Sequence, residues 1–181
     1  MRVVPFSAAL LLALAAAAAW VVESEPTLYL RARYPLEYEH VIRGHARNYE
    51  LEPALLAAVV YVESRFDPSA RSDAGAVGLM QLLPETAGGI ALRTGGDRFV
   101  VADLLDPEIN VRYGSWYVDH LRDRYRDLGL ALAAYHAGQG NVDEWLRRGD
   151  AIAFPETRAY VDEVRRLRRV YAKAYRNELG L

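Results

Sequence analysis

Apolar residues recur at helical spacing along almost the whole chain after residue 34. The first such run includes Leu36 and Ile42 and predicts a helix from Pro35 to Asn48. The next run, Pro53–Ser64, begins with a proline that fits the first helical position and is strongly apolar, which predicts a buried helix. Residues 67–78 are rich in Ser, Asp, Ala and Gly and show no period, so they predict a loop with at most a short β-hairpin.

The helical pattern continues in the second half of the chain. Proline and capping residues mark several expected helix boundaries. Pro84 opens one helix, and Asp106 with Pro107 opens a long helix that reaches Tyr125. Leu128–Ala137 is a small-residue helix that Gly138 can end, Asn141 caps the next helix, and a last helix covers Glu156 to Asn177. No segment alternates convincingly as a strand does, and no internal repeat is visible. The sequence therefore predicts a mainly α fold.

The N-terminus carries the information about the compartment. Residues 3–22 contain no charge, follow Arg2 and end against acidic residues. This length is enough to span a bilayer as a helix, and the positive end is expected to stay in the cytoplasm. We expect an extracytoplasmic protein anchored in the cytoplasmic membrane by residues 3–22, or a signal peptide over 1–22 that is cleaved within Ala15–Ala19, with secretion to the cell wall as the consequence. A linker over 23–32 and one domain over 33–178 would follow.

Composition narrows the chemistry. The 22 Lys and Arg nearly balance the 24 Asp and Glu, so the chain has no overall positive field for binding nucleic acid. It contains no cysteine, its four histidines show no metal-ligand spacing, and no glycine-rich loop follows a strand, so neither a metal nor a cofactor is predicted. The last helix is basic, with Arg165, Arg166, Arg168, Arg169, Lys173 and Arg176. This pattern is typical of a solvated face, and attraction to anionic wall polymers or lipid headgroups is the alternative.

One carboxylate lies on the apolar side of its helix. Glu63 follows Leu56 by seven residues and Val59 by four, which places it along the apolar stripe of the second helix. Removing a carboxyl group from water raises its pKa, and a raised pKa suits a general acid. By itself the position is more typical of a surface glutamate or of an ion pair with a residue such as Arg65.

The residues that follow Glu63 carry a more specific signal. The chain continues Ser64-Arg65-Phe66-Asp67-Pro68, then Gly75-Ala76-Val77-Gly78-Leu79-Met80-Gln81, and later contains Ala134-Tyr135-His136-Ala137-Gly138-Gln139-Gly140-Asn141-Val142 and Pro155-Glu156-Thr157-Arg158-Ala159-Tyr160. These three stretches closely resemble the soluble-type lytic transglycosylases, whose domain is similar to goose-type lysozyme. The resemblance implies a lysozyme-like helical domain that binds peptidoglycan glycan strands.

The resemblance also implies a reaction and a set of residues. It implies cleavage of the β-1,4 bond between N-acetylmuramic acid and N-acetylglucosamine, with Glu63 as the one catalytic acid and then base, and a 1,6-anhydromuramic end as the product. The substrate's own N-acetyl group would take the role that a second carboxylate has in other glycosidases. The expected substrate-binding residues are Ser72, Met80, Gln81, Tyr135, His136 and Tyr160, with Met80 more suited to packing beneath the site. His136 departs from the family, which usually has asparagine there, so its contact could depend on pH.

Two other functions remain open at this point. A muramidase would use the same cleft and water, and Asp67, four residues after Glu63, would be the candidate second carboxylate. A non-catalytic glycan-binding module is the alternative from another class. Protein partners are not predicted.

Overall fold

The computed structural model describes residues 26–181 and, ahead of them, Leu10, Leu11 and Leu14. A division after Pro35 separates two units. The described part of the first unit contains helix α1 (Thr27–Arg33), so the predicted linker over 23–32 is partly helical. The predicted membrane segment over 3–22 lies outside the described residues, apart from the three leucines. In the part of the chain that is described, no helix combines the length and apolar character needed to cross a membrane.

The second unit is helical throughout. Its helices are α2 (Glu39–Asn48), α3 (Pro53–Ser64), α4 (Pro84–Thr94), α5 (Pro107–Tyr125), α6 (Leu128–Ala137), α7 (Gln139–Arg148), α8 (Pro155–Ala174) and α9 (Arg176–Leu179), with a 3-10 helix at Val101–Leu105 before α5. Between residues 26 and 181 no strand forms. Two isolated antiparallel bridges join Arg71 to Val77 and Val77 to Leu82 in the predicted loop. The predicted mainly α fold is confirmed.

Helix α3 lies at the centre of this unit. Every residue from Ala54 to Tyr61 is buried, and the helix packs against α2 and α8. A helix that is apolar on all sides is stable only when other elements cover all of it, which explains its central position. Helix α6 packs against α5 and α8, so α3 and α6 both contact α8.

Prolines and one aspartate set the beginnings of the helices. Pro53, Pro84 and Pro107 each occupy the first turn of a helix, as predicted. The Asp106 carboxylate accepts hydrogen bonds from the backbone N–H groups of Glu108 and Ile109, which satisfies two donors that a helix start leaves unpaired. These predicted boundaries are confirmed.

Three predicted boundaries are wrong. Helix α2 begins at Glu39 and not at Pro35, because Tyr38 has a left-handed backbone with φ 53°. The last helix ends at Ala174, and Tyr175 separates it from α9. Asn141 is not a cap: it lies inside α7, where its amide donates to the carbonyl of Ala137, and Gly138 precedes the helix.

Candidate active site

A cleft of about 450 Å³ opens at the C-terminal end of α3. It is lined by residues from α3, the loop that follows, and helices α4, α5 and α6: Glu63, Ser72, Ala74, Ala76, Gln81, Leu82, Leu83, Thr86, Tyr117, Tyr135, His136, Ala137 and Gly138. Among these lining residues Glu63 is the one acid. The cleft therefore presents a single carboxyl group in mostly apolar and aromatic surroundings.

Two opposing effects set the pKa of the Glu63 carboxyl group. Burial raises its pKa from 4.5 to about 7, and the hydrogen bond that it accepts from Tyr160 partly opposes the rise. The Tyr160 hydroxyl donates to Oε1 over 2.7 Å. At neutral pH a group with this pKa is protonated in a large fraction of molecules, so it can give up a proton and take one back.

Two tyrosines beside Glu63 keep their protons. Burial first, and then the nearby Glu63 carboxylate, raises the pKa of both Tyr135 and Tyr160 well above 10. Both hydroxyls therefore act as hydrogen-bond donors. Tyr160 donates to Glu63, whereas Tyr135 donates to the carbonyl of Met80 over 2.6 Å. Tyr160 thus positions the carboxyl group, and Tyr135 fastens the loop that forms one wall of the cleft.

The same loop is held at two further points. Its backbone carbonyl at Leu79 accepts from the Ser64 hydroxyl at the end of α3, over 2.8 Å. Asn110 on α5 is fully buried, accepts from the N–H of Met80 over 2.7 Å and donates to the carbonyls of Val77 and Leu104, each over 2.9 Å. Helices α3, α5 and α6 therefore fix the loop jointly.

Gly78 permits this close approach of the loop to Asn110. Its φ is 80°, and a Cβ placed on it would lie 2.2 Å from both the Asn110 amide nitrogen and the Leu104 carbonyl oxygen. A side chain is excluded there on both grounds. Gly75 also has a positive φ, of 83°, but faces open space.

Ser72 and Gln81 both line the cleft and also form hydrogen bonds within the loop. The Ser72 hydroxyl accepts from the N–H of Ala76 over 3.1 Å. The Gln81 side-chain amide donates to the carbonyls of Ala70 and Gly78, each over 3.0 Å. These bonds orient two polar side chains toward the space in front of Glu63.

His136 lines the cleft from α6, one residue after Tyr135. Its Nδ1 is 3.1 Å from the Thr157 hydroxyl, and its ring centroid is 4.6 Å from that of Tyr160. Burial lowers the pKa of His136, against the effect of Glu156, so the neutral ring is favoured at neutral pH. The ring therefore contacts the tyrosine that holds Glu63.

Comparison with known proteins identifies this arrangement. The family model described as the transglycosylase SLT domain matches residues 40–154. The soluble lytic murein transglycosylase of Salmonella typhimurium is 32% identical over 164 residues, which cover 84% of this chain and 25% of the relative. The chain belongs to the transglycosylase SLT family. It spans about a quarter of the length of such curated relatives.

Solved structures of lytic transglycosylases share the fold of this SLT domain. The 70 kDa soluble lytic transglycosylase of Escherichia coli superposes with a TM-score of 0.76 at 28% identity, over 83% of this chain and 26% of the other. An inactive glutamate-to-glutamine mutant of the lytic transglycosylase Slt from Pseudomonas aeruginosa gives 0.74 at 30% identity, over 84% and 26%. The predicted resemblance and the lysozyme-like fold class are confirmed.

Two predicted site residues do not line the cleft of the SLT domain. Met80 is fully buried and packs against Gly114 of α5, where a Cβ would lie 2.2 Å from its sulfur, so its side chain contributes to the floor. Tyr160 is buried behind Glu63 and reaches the site through its hydroxyl. Among residues 26–181, no cluster of histidine and acidic side chains could hold a metal ion.

Tyr117 and Asn110 were not predicted from the sequence. Tyr117 lines the cleft, and its ring centroid is 5.5 Å from that of Tyr135. It occupies a partly buried position on α5 that is indistinguishable from core by spacing alone. Asn110 could have been predicted, because it lies between Ile109 and the buried Val111, and a polar side chain on a buried face needs hydrogen-bond partners.

Proposed function

We propose that this chain is a peptidoglycan lytic transglycosylase in which Glu63 acts first as general acid and then as general base. The substrate would be the glycan strand, cut between N-acetylmuramic acid and N-acetylglucosamine. The observation that carries the proposal is the single carboxyl group of the cleft, with a pKa raised by burial to about 7 and a tyrosine hydroxyl that donates to it. The Pseudomonas relative that is inactive carries a glutamate-to-glutamine change, which is consistent with this role.

The chemistry follows from one proton that moves twice. Protonated Glu63 gives its proton to the glycosidic oxygen while the bond from that oxygen to C1 of the muramic residue breaks. The cationic sugar is stabilised by its own N-acetyl group. The 6-hydroxyl oxygen then bonds to C1, and its proton passes to the Glu63 carboxylate, which restores the starting enzyme. The product has a 1,6-anhydromuramic end, and no water is consumed.

The absence of a second acid from the cleft lining favours this reaction over hydrolysis. Enzymes that use two carboxylates place them about 5 to 10 Å apart on either side of the bond. Asp67, the candidate for that role, is exposed and accepts hydrogen bonds from the N–H and hydroxyl of Ser69, over 2.8 and 2.7 Å. Those bonds lower the pKa of Asp67, and it is not among the residues that line the cleft. Asp67 is thus suited to a turn.

Ser72, Gln81, Tyr135 and His136 are proposed to contact the sugars, with Tyr160 as the residue that positions Glu63. Their side chains surround the space in front of the carboxyl group. A binding module would not require a buried acid, since burial of a carboxyl group costs stability when it is ionised.

The location of the enzyme is also a proposal. A substrate in the cell wall requires an extracytoplasmic domain, which agrees with the uncharged segment over residues 3–22. We propose anchoring by this segment, with residues 33–178 as the catalytic domain; cleavage and secretion are the alternative. The relatives include both a protein named soluble and one named membrane-bound.

The masses of the released fragments test the proposed reaction. Digestion of purified peptidoglycan by the full chain is expected to yield muropeptides whose muramic ends are lighter by one water than the hydrolysis products. Mass spectrometry separates the two, and a muramidase digest supplies the hydrolytic reference. Reducing ends as the main product would show that the enzyme is a hydrolase and contradict the proposed lyase reaction. Binding to glycan strands without any cleavage would mean that the chain is a glycan-binding module.

A further inference from the structure

A second concave site lies on the basic helix α8, away from the cleft. It has a volume of about 370 Å³ and is lined by Glu52, Leu128, Arg165, Arg168, Arg169 and Ala172. The arginines follow one another at helical spacing, so they face the same side of α8. Glu52 immediately precedes α3, and Leu128 is the first residue of α6. Three guanidinium groups therefore line the site together with residues from the N-terminal ends of two helices.

The charges of this site are not balanced from within the protein. Arg168 forms an ion pair with Glu52, and its Nε donates over 2.6 Å. Among the described residues, no carboxylate lies within ion-pair distance of Arg165 or Arg169, whereas Arg166, which does not line the site, pairs with Glu163. Three guanidinium groups against Glu52 leave an excess of two positive charges in the lining, and the Asp127 carboxylate near Arg165 reduces this excess.

Arg165 lies beside the start of α6. A Cβ on Gly129 would lie 2.5 Å from the Arg165 guanidinium, so the glycine lets Arg165 contact the first turn of the helix. The Asp127 carboxylate accepts from the N–H of Leu130 over 2.8 Å, and its negative charge outweighs the partial positive charge of the helix end. An oxyanion between Arg165 and Arg169 would therefore be attracted by the two guanidinium groups.

We propose that Arg165, Arg168 and Arg169 form a binding site for a phosphate group. The guanidinium fork matches phosphate geometry with paired hydrogen bonds, and a phosphate offers more oxygens than a carboxylate to several arginines at once. A phosphate group carries one to two negative charges near neutral pH, so it can balance the excess positive charge of the site. The phosphate can come from a lipid headgroup or from phosphate in solution.

This site is separate from the proposed catalytic centre. Glu52 and Glu63 are eleven positions apart along α3, which corresponds to a rise of about 16 Å. Tyr160, which holds Glu63, and Arg168, which holds Glu52, are likewise found at different points along α8. Occupation of the phosphate site is therefore independent of the proposed function, and either proposal can fail without the other.

Thermal unfolding of the full chain in uncharged detergent tests the site. Inorganic phosphate and, separately, the headgroup diester glycerophosphoglycerol are titrated at constant ionic strength, with chloride as the reference anion. The test variant is Arg165→Gln with Arg169→Gln, because both side chains are exposed and neither pairs with a carboxylate of the described residues. The matched control is Arg147→Gln with Arg148→Gln, which removes the same charge from α7, where both arginines pair with Glu144.

We expect at least one of the two compounds to raise the unfolding temperature of the wild type and the control, and the test variant to need at least tenfold more of it for the same shift. A response to the diester indicates a lipid headgroup, and a response to inorganic phosphate alone indicates phosphate in solution. Equal shifts in test and control variants, or no shift above chloride in the wild type, would overturn the proposal. Circular dichroism and glycan cleavage should be unchanged in the test variant.

Discussion

The protonation of Glu63 depends on two opposing contacts. Burial of the carboxyl group disfavours its charged form, and the hydrogen bond from Tyr160 favours it; burial is the larger effect, so the pKa rises to about 7. The unfolded chain has the ordinary value of 4.5. Between these two values the folded protein binds a proton that the unfolded chain has released. Stability contributed by this group therefore falls as the pH rises from 4.5 to 7.

A Glu63→Gln variant is expected to be more stable than the wild type at pH 8, by up to roughly 3 kcal/mol. The amide removes the buried charge and can still accept from Tyr160. The difference should become small near pH 4.5, where the carboxyl group is protonated in the folded state and half protonated in the unfolded chain. Urea unfolding at the two pH values measures it, and Glu37→Gln, an exposed glutamate, is the control. A difference between variant and wild type that is no larger at pH 8 than at pH 4.5 would contradict the raised pKa of Glu63.

At the scale of elements, the loop after α3 determines the shape of the cleft. Three helices fix it, through Ser64 on α3, Asn110 on α5 and Tyr135 on α6. Such a loop has little freedom, so the side chains of Ser72 and Gln81 are held in one arrangement, as their proposed contacts with the sugars require. Rigidity at this site comes from hydrogen bonds between buried groups.

Replacement of Asn110 by alanine should release part of the loop. Three hydrogen bonds are lost, and the N–H of Met80 and the carbonyls of Val77 and Leu104 are left buried without this partner. We expect a loss of about 3 kcal/mol in the free energy of unfolding and a larger relative loss of glycan cleavage. Denaturant unfolding and a turbidity assay on peptidoglycan measure the two effects. Asn48→Ala, at an exposed position of α2, is the control, and equal behaviour of both variants would contradict the proposed anchoring.

The helices were predictable where a local signal marks their ends. Pro53, Pro84 and Pro107 sit at first helical positions because their missing N–H has no partner to lose there. Tyr38 precedes a helix and Tyr175 follows one, and both have non-helical backbone conformations that no local sequence signal predicts. The apolar stripe predicted the burial of Glu63, and the family resemblance of the residues that follow it predicted its role. Tyr117 was not predictable, since a cleft aromatic and a core aromatic share the same spacing.

At the scale of the whole molecule, α3 connects the two proposed sites. Its C-terminal end carries Glu63 in the cleft, and its N-terminal end adjoins the arginines of α8. Helix α8 packs along it and contributes Tyr160 to one site and Arg165, Arg168 and Arg169 to the other. The domain is thus built so that one pair of packed helices positions both sites.

Cleavage of purified peptidoglycan by Glu63→Gln, beside the wild type and Glu37→Gln, tests the central claim most directly. Release of soluble muropeptides is followed at pH 6 to 9 after circular dichroism has shown that all three proteins are folded. We expect no release above background by Glu63→Gln and normal release by the control. In the wild type the rate should fall as the pH rises above about 7, because Glu63 loses its proton. Substantial release by Glu63→Gln would contradict the claim that this carboxyl group delivers the proton.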